Sequence, residues 1–368
     1  MTDASASVTI PCDCFVLLKR IPMLATLQKR WFLISLLILI PSGLLTGYFG
    51  DVEAVNSARG LVNTRILTAF ILTLMAFSLN SSQLKASLQK PGPVCWASLC
   101  NYALIPLLGW AGMRLQLTPD FRIGLMIAAS TPCTLAAASV WTRKAGGNDA
   151  VSLLTTLLTN TMCFIVTPFW LVTATGQAVD LNMTDLTERL VMVVLLPTLL
   201  GQGLRVIRPA AEFATRFKTP IGVVAQSCVL LLVLLASLGG GIKLKDASLG
   251  QQLGGLVVVW TSCVAIHLAA FFVAWQGGGI LNFERKDRIA ASFAGSQKTL
   301  PIGVYLATDP SAFGGADVID GSPIPFAVFP MLMFHASQLF IDTLIADRMK
   351  ASETHGPEKP DEQARPKQ

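Results

Sequence analysis

The chain alternates long apolar blocks with short polar segments that carry most of its charged residues. The blocks have the length that a helix needs to cross the hydrocarbon core of a bilayer, about 20 residues. The pattern therefore indicates an all-α polytopic membrane protein. We predict ten spans: 31–50, 64–82, 94–116, 121–142, 149–175, 187–205, 220–241, 254–276, 286–307 and 323–346.

Composition agrees with this class of protein. Charged residues make up 14% of the chain, against about 25% in a soluble domain, and the mean hydropathy is +0.59. Most of the eight cysteines lie inside apolar blocks, where thiols pack as small apolar groups rather than forming disulfides. The sequence has no phosphate-binding glycine loop, nucleophile–base pair or metal-ligand cluster, so we expect neither an enzyme nor a metal cofactor. Its basic residues flank membrane spans, so we expect no nucleic-acid partner.

The distribution of Lys and Arg residues sets the orientation. With both termini in the cytoplasm, 20 of the 28 Lys and Arg residues lie on the cytoplasmic side and seven lie outside, which leaves Lys298 within the membrane. Cytoplasmic loops are normally enriched in these residues. We therefore predict a plasma-membrane protein, such as one of a bacterial inner membrane, with both termini cytoplasmic. Its predicted parts are a cytoplasmic segment 1–30, two five-helix units 31–175 and 176–347, and a disordered tail 348–368.

The ninth span contains an interruption around Lys298. A lysine at mid-membrane costs about 3 kcal/mol on insertion scales, and Pro301 removes a backbone donor. Together they predict a helix broken within the membrane, whose freed backbone groups face other parts of the protein. A lysine at a helix end that reaches the membrane surface is the alternative.

A repeat connects this break to the fourth span. Arg122–Ser130 aligns with Arg288–Ser296 at an offset of 166 residues, and a polar patch with a proline follows each serine. A unit of five spans repeated once must be inverted, and inverted repeats with matched broken helices are typical of secondary transporters. We expect Ser130–Thr134 and Ser296–Thr299 to be non-helical and close together, and residues 206–219 to form an amphipathic linker between the repeats.

Other polar residues in the predicted spans have ordinary explanations. His267 lies 166 residues after Asn101, so it titrates in the core or bonds a backbone carbonyl. His335 and Gln338 are expected to hydrogen-bond between helices. Asp342 is expected to reach the cytoplasmic surface, which leaves no carboxylate deep enough to oppose Lys298.

An ordered set of motifs resembles the bile acid:sodium symporter superfamily, and within it the SBF-like branch. The set covers roughly residues 30–347 and consists of Asn101 with Pro106, Pro132-Cys133-Thr134, Gly147-Asn148 and Gly295-Ser296-Gln297-Lys298. The resemblance implies two inverted five-helix repeats. In these, a panel of spans 1, 2, 6 and 7 packs against a core in which broken spans 4 and 9 cross.

The resemblance also implies site residues at the crossover. Gln297 matches the glutamine of a family E-x-x-x-Q pattern, Ser152 and Thr156 match hydroxyl ligands of span 5, and together these three form a candidate sodium site. Phe293 stands where the family has a glutamate shared between two sodium ions, which puts two-sodium coupling in doubt. The substrate- and ion-binding candidates are Asn101, Thr131, Thr134, Ser139, Ser152, Thr156, His267, Ser296, Gln297, Lys298 and Thr299.

The leading interpretation is a secondary active transporter of a small organic anion that works by alternating access. The resemblance implies sodium symport, whereas Lys298 and Phe293 leave sodium-independent or proton-coupled transport open. The alternative, from the same branch, is a non-transporting membrane regulator of calcium or cation homeostasis. The expected partners are an organic anion and the lipid bilayer, and the sequence is compatible with a homodimer.

Overall fold

The computed structural model describes residues 22–80, 91–175, 182–245, 249–308 and 326–354, and within these ranges the chain is helical, with no β-strand. The first helices are α1 Pro22–Phe49, α2 Val52–Gly60, α3 Thr64–Ser78, α4 Pro91–Leu99, α5 Ile105–Met113, α6 Pro119–Ser130, α7 Ala137–Lys144 and α8 Asp149–Thr175. The remaining helices are α9 Met183–Leu190, α10 Leu196–Leu204, α11 Arg208–Arg216, α12 Lys218–Leu244, α13 Leu249–Ile280, α14 Arg285–Ser296, α15 Leu300–Thr308 and α16 Val328–Thr354. One π-helical turn, Cys100–Leu104, joins α4 to α5, and a second, Val191–Leu195, joins α9 to α10.

Six of these helices are long and apolar enough to cross a membrane: α1, the continuous α4–α5 helix, α8, α12, α13 and α16. Two bent pairs raise the number to eight. The α2–α3 pair is bent by 46°, and the α9–α10 helix and α11 are bent by 100°. By length and composition, the described part of the chain therefore has six to eight candidate spans.

The outer helices extend past the predicted boundaries. Helix α1 begins at Pro22, within the predicted segment 1–30, and α16 continues to Thr354, so residues 348–354 extend the last helix. The rest of the predicted tail and residues 1–21 lie outside the described residues. The predicted linker 206–219 contains α11, whose flanking Val206, Ile207 and Phe217 are exposed, as is Phe213 within it. An in-plane amphipathic helix has this pattern of exposure.

Two sets of helices can be distinguished by their packing. Helices α1, α12, α3 and α10 contact one another in that order. Close approach in the first pair depends on glycine: a Cβ on Gly47 would lie 2.2 Å from the carbonyl oxygen of Leu238, and one on Gly241 would lie 2.2 Å from that of Leu44. Small residues allow such contact between apolar helices. The α4–α5 helix, α6, α7, α8, α13, α14, α15 and α16 form the second set.

Two short helix pairs lie within the second set, α6 with α7 and α14 with α15. Helices α6 and α14 each have 12 residues. The first residue of α14 lies 166 positions after the first residue of α6, and the same offset separates their last residues. The breaks that follow them touch, because the Thr299 N–H donates to the Pro132 carbonyl at 2.9 Å. The predicted interruptions and their proximity are thus present, although Ser130 and Ser296 are themselves the last helical residues.

Candidate functional site

Lys298 occupies the point where the two breaks meet. Its side chain is fully buried, and its ammonium donates to the Asn101 carbonyl at 2.7 Å, the Asn101 side-chain oxygen at 3.1 Å and the Thr131 carbonyl at 2.7 Å. An ammonium has three N–H donors and no acceptor, so these three oxygens satisfy it. The Thr131 carbonyl also lies at the C-terminal end of α6, where the helix dipole favours a positive charge.

The carbonyl of Asn101 is available because of the local helix geometry. In the π-helical turn the Ile105 N–H bonds to Cys100 rather than to Asn101. The next residue is Pro106, which has no N–H to donate. The Asn101 carbonyl is thus freed inside an otherwise continuous helix. The motif that pairs Asn101 with Pro106 therefore supplies one oxygen ligand to Lys298.

Asn101 also holds the end of α14. Its side-chain NH2 donates to the carbonyls of Ala294 at 3.2 Å and Gln297 at 2.8 Å. These carbonyls lie in the last turn of α14 and just beyond it, where helix acceptors have no intrahelical partner. One asparagine thus contacts both the lysine and the helix that leads into the break.

The break between α6 and α7 is held by polar residues of α8. Asn160 donates to the Cys133 carbonyl at 2.8 Å, and the Thr159 hydroxyl accepts from the Cys133 N–H at 3.3 Å. Thr167 donates to the Ser130 carbonyl at 2.8 Å, and Thr156 to that of Thr134 at 3.4 Å. These bonds satisfy the backbone groups that the break exposes, as a membrane interior requires.

Asp342 contradicts the prediction that it reaches the surface. It is fully buried, and its carboxyl oxygens contact His267 Nε2 at 3.0 Å and the Gln297 side-chain amide. The Nδ1 atom of His267 lies 3.2 Å from the Ser296 carbonyl, which can only accept, so Nδ1 carries a proton. The prediction of no deep carboxylate was wrong because Asp342 faces the second break rather than lipid or water.

His335 and Gln338 support the same break from α16. The Gln338 side chain accepts from the Lys298 backbone N–H and donates to the Lys298 backbone carbonyl, both at 2.8 Å. Its NH2 also lies 2.8 Å from His335 Nδ1. With Asp342 these residues lie at positions i, i+3 and i+7 of one helix, so they share a face. That spacing was the signal by which the sequence could have placed Asp342 at the site.

The remaining predicted site residues are divided between the two breaks. Gln297 and Thr299 lie in the second break, directly after Ser296 at the end of α14, whereas Thr131 and Thr134 lie in the first. Ser139 lies on α7, where its hydroxyl accepts from Arg143 at 2.8 Å, so it is not among the groups that contact Lys298. Phe293 packs against Phe271 in an apolar cluster, with ring centroids 5.2 Å apart.

The three residues of the candidate sodium site make different contacts. Thr156 contacts Cys133 and Thr134 at the first break, and the buried Ser152 hydroxyl has no hydrogen-bond partner among the described residues. The Gln297 amide instead points to Asp342. The side-chain oxygens of Ser152 and Gln297 are thus both buried without a hydrogen-bond partner among the described residues, and the candidate sodium site stays a prediction.

A cavity of about 650 Å³ separates the two sets of helices next to the crossover. It borders Ala136 and Ala137 at the start of α7, and Leu300 and Pro301 at the start of α15. It extends to Lys144 and Asp347, which form an ion pair at 2.6 Å. Its lining also includes Phe32, Met75, Thr134, Trp141, Gln226 and His335. The sequence pattern gave no signal for Trp141 or Gln226.

Broken helices that meet inside an apolar bundle, beside a cavity that reaches both breaks, define the secondary-transporter class of membrane protein. Residues 30–351 match the SBF-like CPA transporter family, and the chain belongs to this family. This confirms the resemblance that the motifs indicated, and membership of a transporter family implies that the protein is not an enzyme.

Curated relatives support the same assignment. The chain is 23% identical over 335 residues to sodium/bile acid cotransporter 7-B of Xenopus laevis. The aligned region covers 89% of this chain and 94% of the relative. It is 22% identical over 340 residues to sodium/bile acid cotransporter 7 of Rattus norvegicus, covering 89% and 95%. An uncharacterised protein of Pseudomonas aeruginosa is 26% identical over 254 residues, covering 68% and 72%.

Proposed function

We propose that this protein is a secondary active transporter of a small organic anion. In this proposal its ten spans form two inverted five-helix repeats, and the helices around the crossover move against α1, α3, α10 and α12 to give alternating access. A count of ten crossings is supported if each of the two broken pairs, α6–α7 and α14–α15, is counted as one crossing beside the eight candidate spans. The observation that carries the proposal is the cavity between the two sets of helices.

The surroundings of the cavity favour an anion with an apolar part. Helices α7 and α15 both begin at its wall, and a helix N-terminus carries a partial positive charge. Lys298 adds a full charge behind that wall. The side chains of Phe32, Met75 and Trp141 offer apolar surface to the rest of the substrate. Relatives named as sodium/bile acid cotransporters agree with a substrate of this chemistry.

We further propose that Lys298 takes the place of a coupling cation. Its three oxygen partners surround the ammonium as carbonyl ligands surround a bound cation. A sodium ion about 4 Å away would be repelled by roughly 4 kcal/mol at an effective dielectric constant near 20, a factor of about a thousand in affinity. Transport therefore does not need sodium. A lysine that releases its proton during the cycle is the second form of this proposal, and it predicts transport that depends on pH.

Binding and uptake of a defined set of anions test the transport proposal. The melting temperature of the purified protein is measured with cholate, estrone sulfate, benzoate or decanoate. Uptake of the compound that raises it most is then measured in proteoliposomes with the labelled compound. We expect one anion to stabilise the protein and accumulate inside, while its uncharged analogue does neither. Equal effects of charged and uncharged forms, or binding without any uptake, would contradict the proposal. Binding alone would favour the regulator.

A further inference from the structure

The side chain of His335 has one edge at the crossover and lies on the wall of the cavity. Its Nδ1 atom lies 2.8 Å from the Gln338 amide nitrogen and 3.3 Å from the Lys298 carbonyl oxygen. The residue lines the cavity, and its ring packs edge-on against Phe32, another lining residue, with centroids 6.4 Å apart. Its Nε2 atom, on the other edge of the ring, makes no hydrogen bond to any residue in the described ranges.

Hydrogen bonding around Gln338 determines which ring nitrogen carries the proton. The Lys298 backbone N–H can only donate, so the Gln338 atom 2.8 Å away must be the amide oxygen. The other terminal atom is then the NH2 group, with two hydrogens for two partners, the Lys298 carbonyl at 2.8 Å and His335 Nδ1 at 2.8 Å. Because an amide NH2 group can only donate, Nδ1 at 2.8 Å accepts and carries no proton, and its longer 3.3 Å approach to the Lys298 carbonyl is a contact between two acceptors and not a hydrogen bond. A neutral imidazole with a bare Nδ1 has its proton on Nε2.

We propose that His335 presents its Nε2–H to the cavity and donates a hydrogen bond to an acceptor oxygen of the substrate. This inference rests on the proposed transport function and adds a specificity residue to it. Near the N-terminal ends of α7 and α15, the donor favours a substrate whose anionic group is a carboxylate or sulfate, with oxygens that accept several hydrogen bonds. Because the backbone of Lys298 fixes Gln338, and Gln338 fixes the ring, the donor is linked directly to the crossover.

The tautomer can be measured without any substrate. The chain has three histidines, His267, His335 and His355, so ¹⁵N spectra of histidine-labelled protein in nanodiscs can be assigned with one glutamine substitution at a time. We expect His335 to be a single neutral tautomer with its proton on Nε2. In Gln338→Met, which lacks the amide, we expect a mixture of both tautomers. A proton on Nδ1 in the native protein would overturn the inference.

Binding of the panel anion that most stabilises the native protein tests the donor itself. His335→Phe keeps a ring against Phe32 but has no N–H, and we expect its affinity for that anion to fall roughly 10- to 100-fold, the usual effect of losing a hydrogen bond to a charged group. His335→Gln keeps an acceptor and a terminal donor, and we expect its affinity to stay within about threefold of the native value.

The outcomes separate this inference from the proposed function. If the native protein binds an anion and His335→Phe binds it as tightly, the donor role is wrong and the transport proposal stands. If the native protein binds none of the four anions, the transport proposal fails together with the donor role. Both variants must show the native melting temperature to within a few degrees without ligand. If the melting temperature of His335→Phe alone shifts by more than this, the affinities of His335→Gln and His335→Asn are compared instead. The glutamine side chain is long enough to place a donor in the cavity and should keep the affinity, whereas the shorter asparagine should lose it.

Discussion

At the scale of single residues, the crossover depends on a buried positive charge whose three hydrogen-bond acceptors are all oxygen atoms. Removing this charge by Lys298→Met would leave the Asn101 and Thr131 carbonyls without a donor, and each unpaired buried acceptor costs about 1–3 kcal/mol. We expect the melting temperature in detergent to fall by several degrees or more.

The control for this variant is Lys144→Met. Lys144 forms an ion pair with Asp347, but the two side chains are 32% and 51% exposed, and exposed pairs contribute about 0–1 kcal/mol. Its melting temperature should stay near the native value. Equal losses in the two variants would show that the bonds made by Lys298 contribute no more than a surface pair does.

The buried pair of His267 and Asp342 gives a second prediction at this scale. Asp342→Asn or His267→Gln alone leaves the partner in an incomplete network, for which about 3–5 kcal/mol is typical of broken buried pairs. The double variant should be less destabilised than the sum of the two single ones, because each loses the same contact. Additive losses in this double-mutant cycle would contradict a direct interaction.

The sequence predicted Lys298 at the crossover together with its partners Asn101 and Thr131, but it did not predict Asp342 there. A charge inside an apolar block followed by a proline is visible in one dimension, and so is the matching break after Ser130. Asp342 lies only a few residues from the end of a predicted span, where local pattern favours exposure. Its burial depends on the packing of α13 and α15 against α16, which hydropathy does not encode.

At the scale of helices, the first break depends on α8 for four of its hydrogen bonds. Thr159→Val keeps the shape of the side chain but leaves the Cys133 N–H unpaired, so we expect a loss of about 1–3 kcal/mol in thermal unfolding. Thr161→Val makes the same chemical change two residues further along α8. Its hydroxyl makes no hydrogen bond in the described structure, so we expect a change within about 0.5 kcal/mol. Equal losses of stability in the two variants would contradict the role of Thr159 in holding the break.

Helix existence was easier to predict from the sequence than helix ends. The apolar blocks gave the long helices and the 166-residue offset gave the matched pair α6 and α14, because both depend on local composition. The π-helical turns before Pro106 and Pro197 did not appear in the periodicity, since one extra residue in a turn changes the pattern little. The first of these turns frees the Asn101 carbonyl, so this ligand of Lys298 could not be predicted from the sequence pattern.

At the scale of the whole molecule, orientation in the membrane is a prediction from charge distribution. A cysteine at the exposed position Lys245 should react with a membrane-impermeant maleimide added to intact cells, and a cysteine at the exposed position Lys350 should react only after the cells are opened. Protection of Lys245→Cys in intact cells would reverse the orientation or change the number of spans.

The role of Lys298 in place of a coupling cation is tested most directly by uptake into proteoliposomes with external sodium replaced by choline. The native protein should take up its anion at the same rate in both solutions to within about twofold, and Lys298→Gln should lose most of that rate. The comparison is repeated at several pH values, because a lysine that cycles a proton would make the rate depend on pH. Uptake that requires sodium in the native protein and is unchanged in Lys298→Gln would contradict the account.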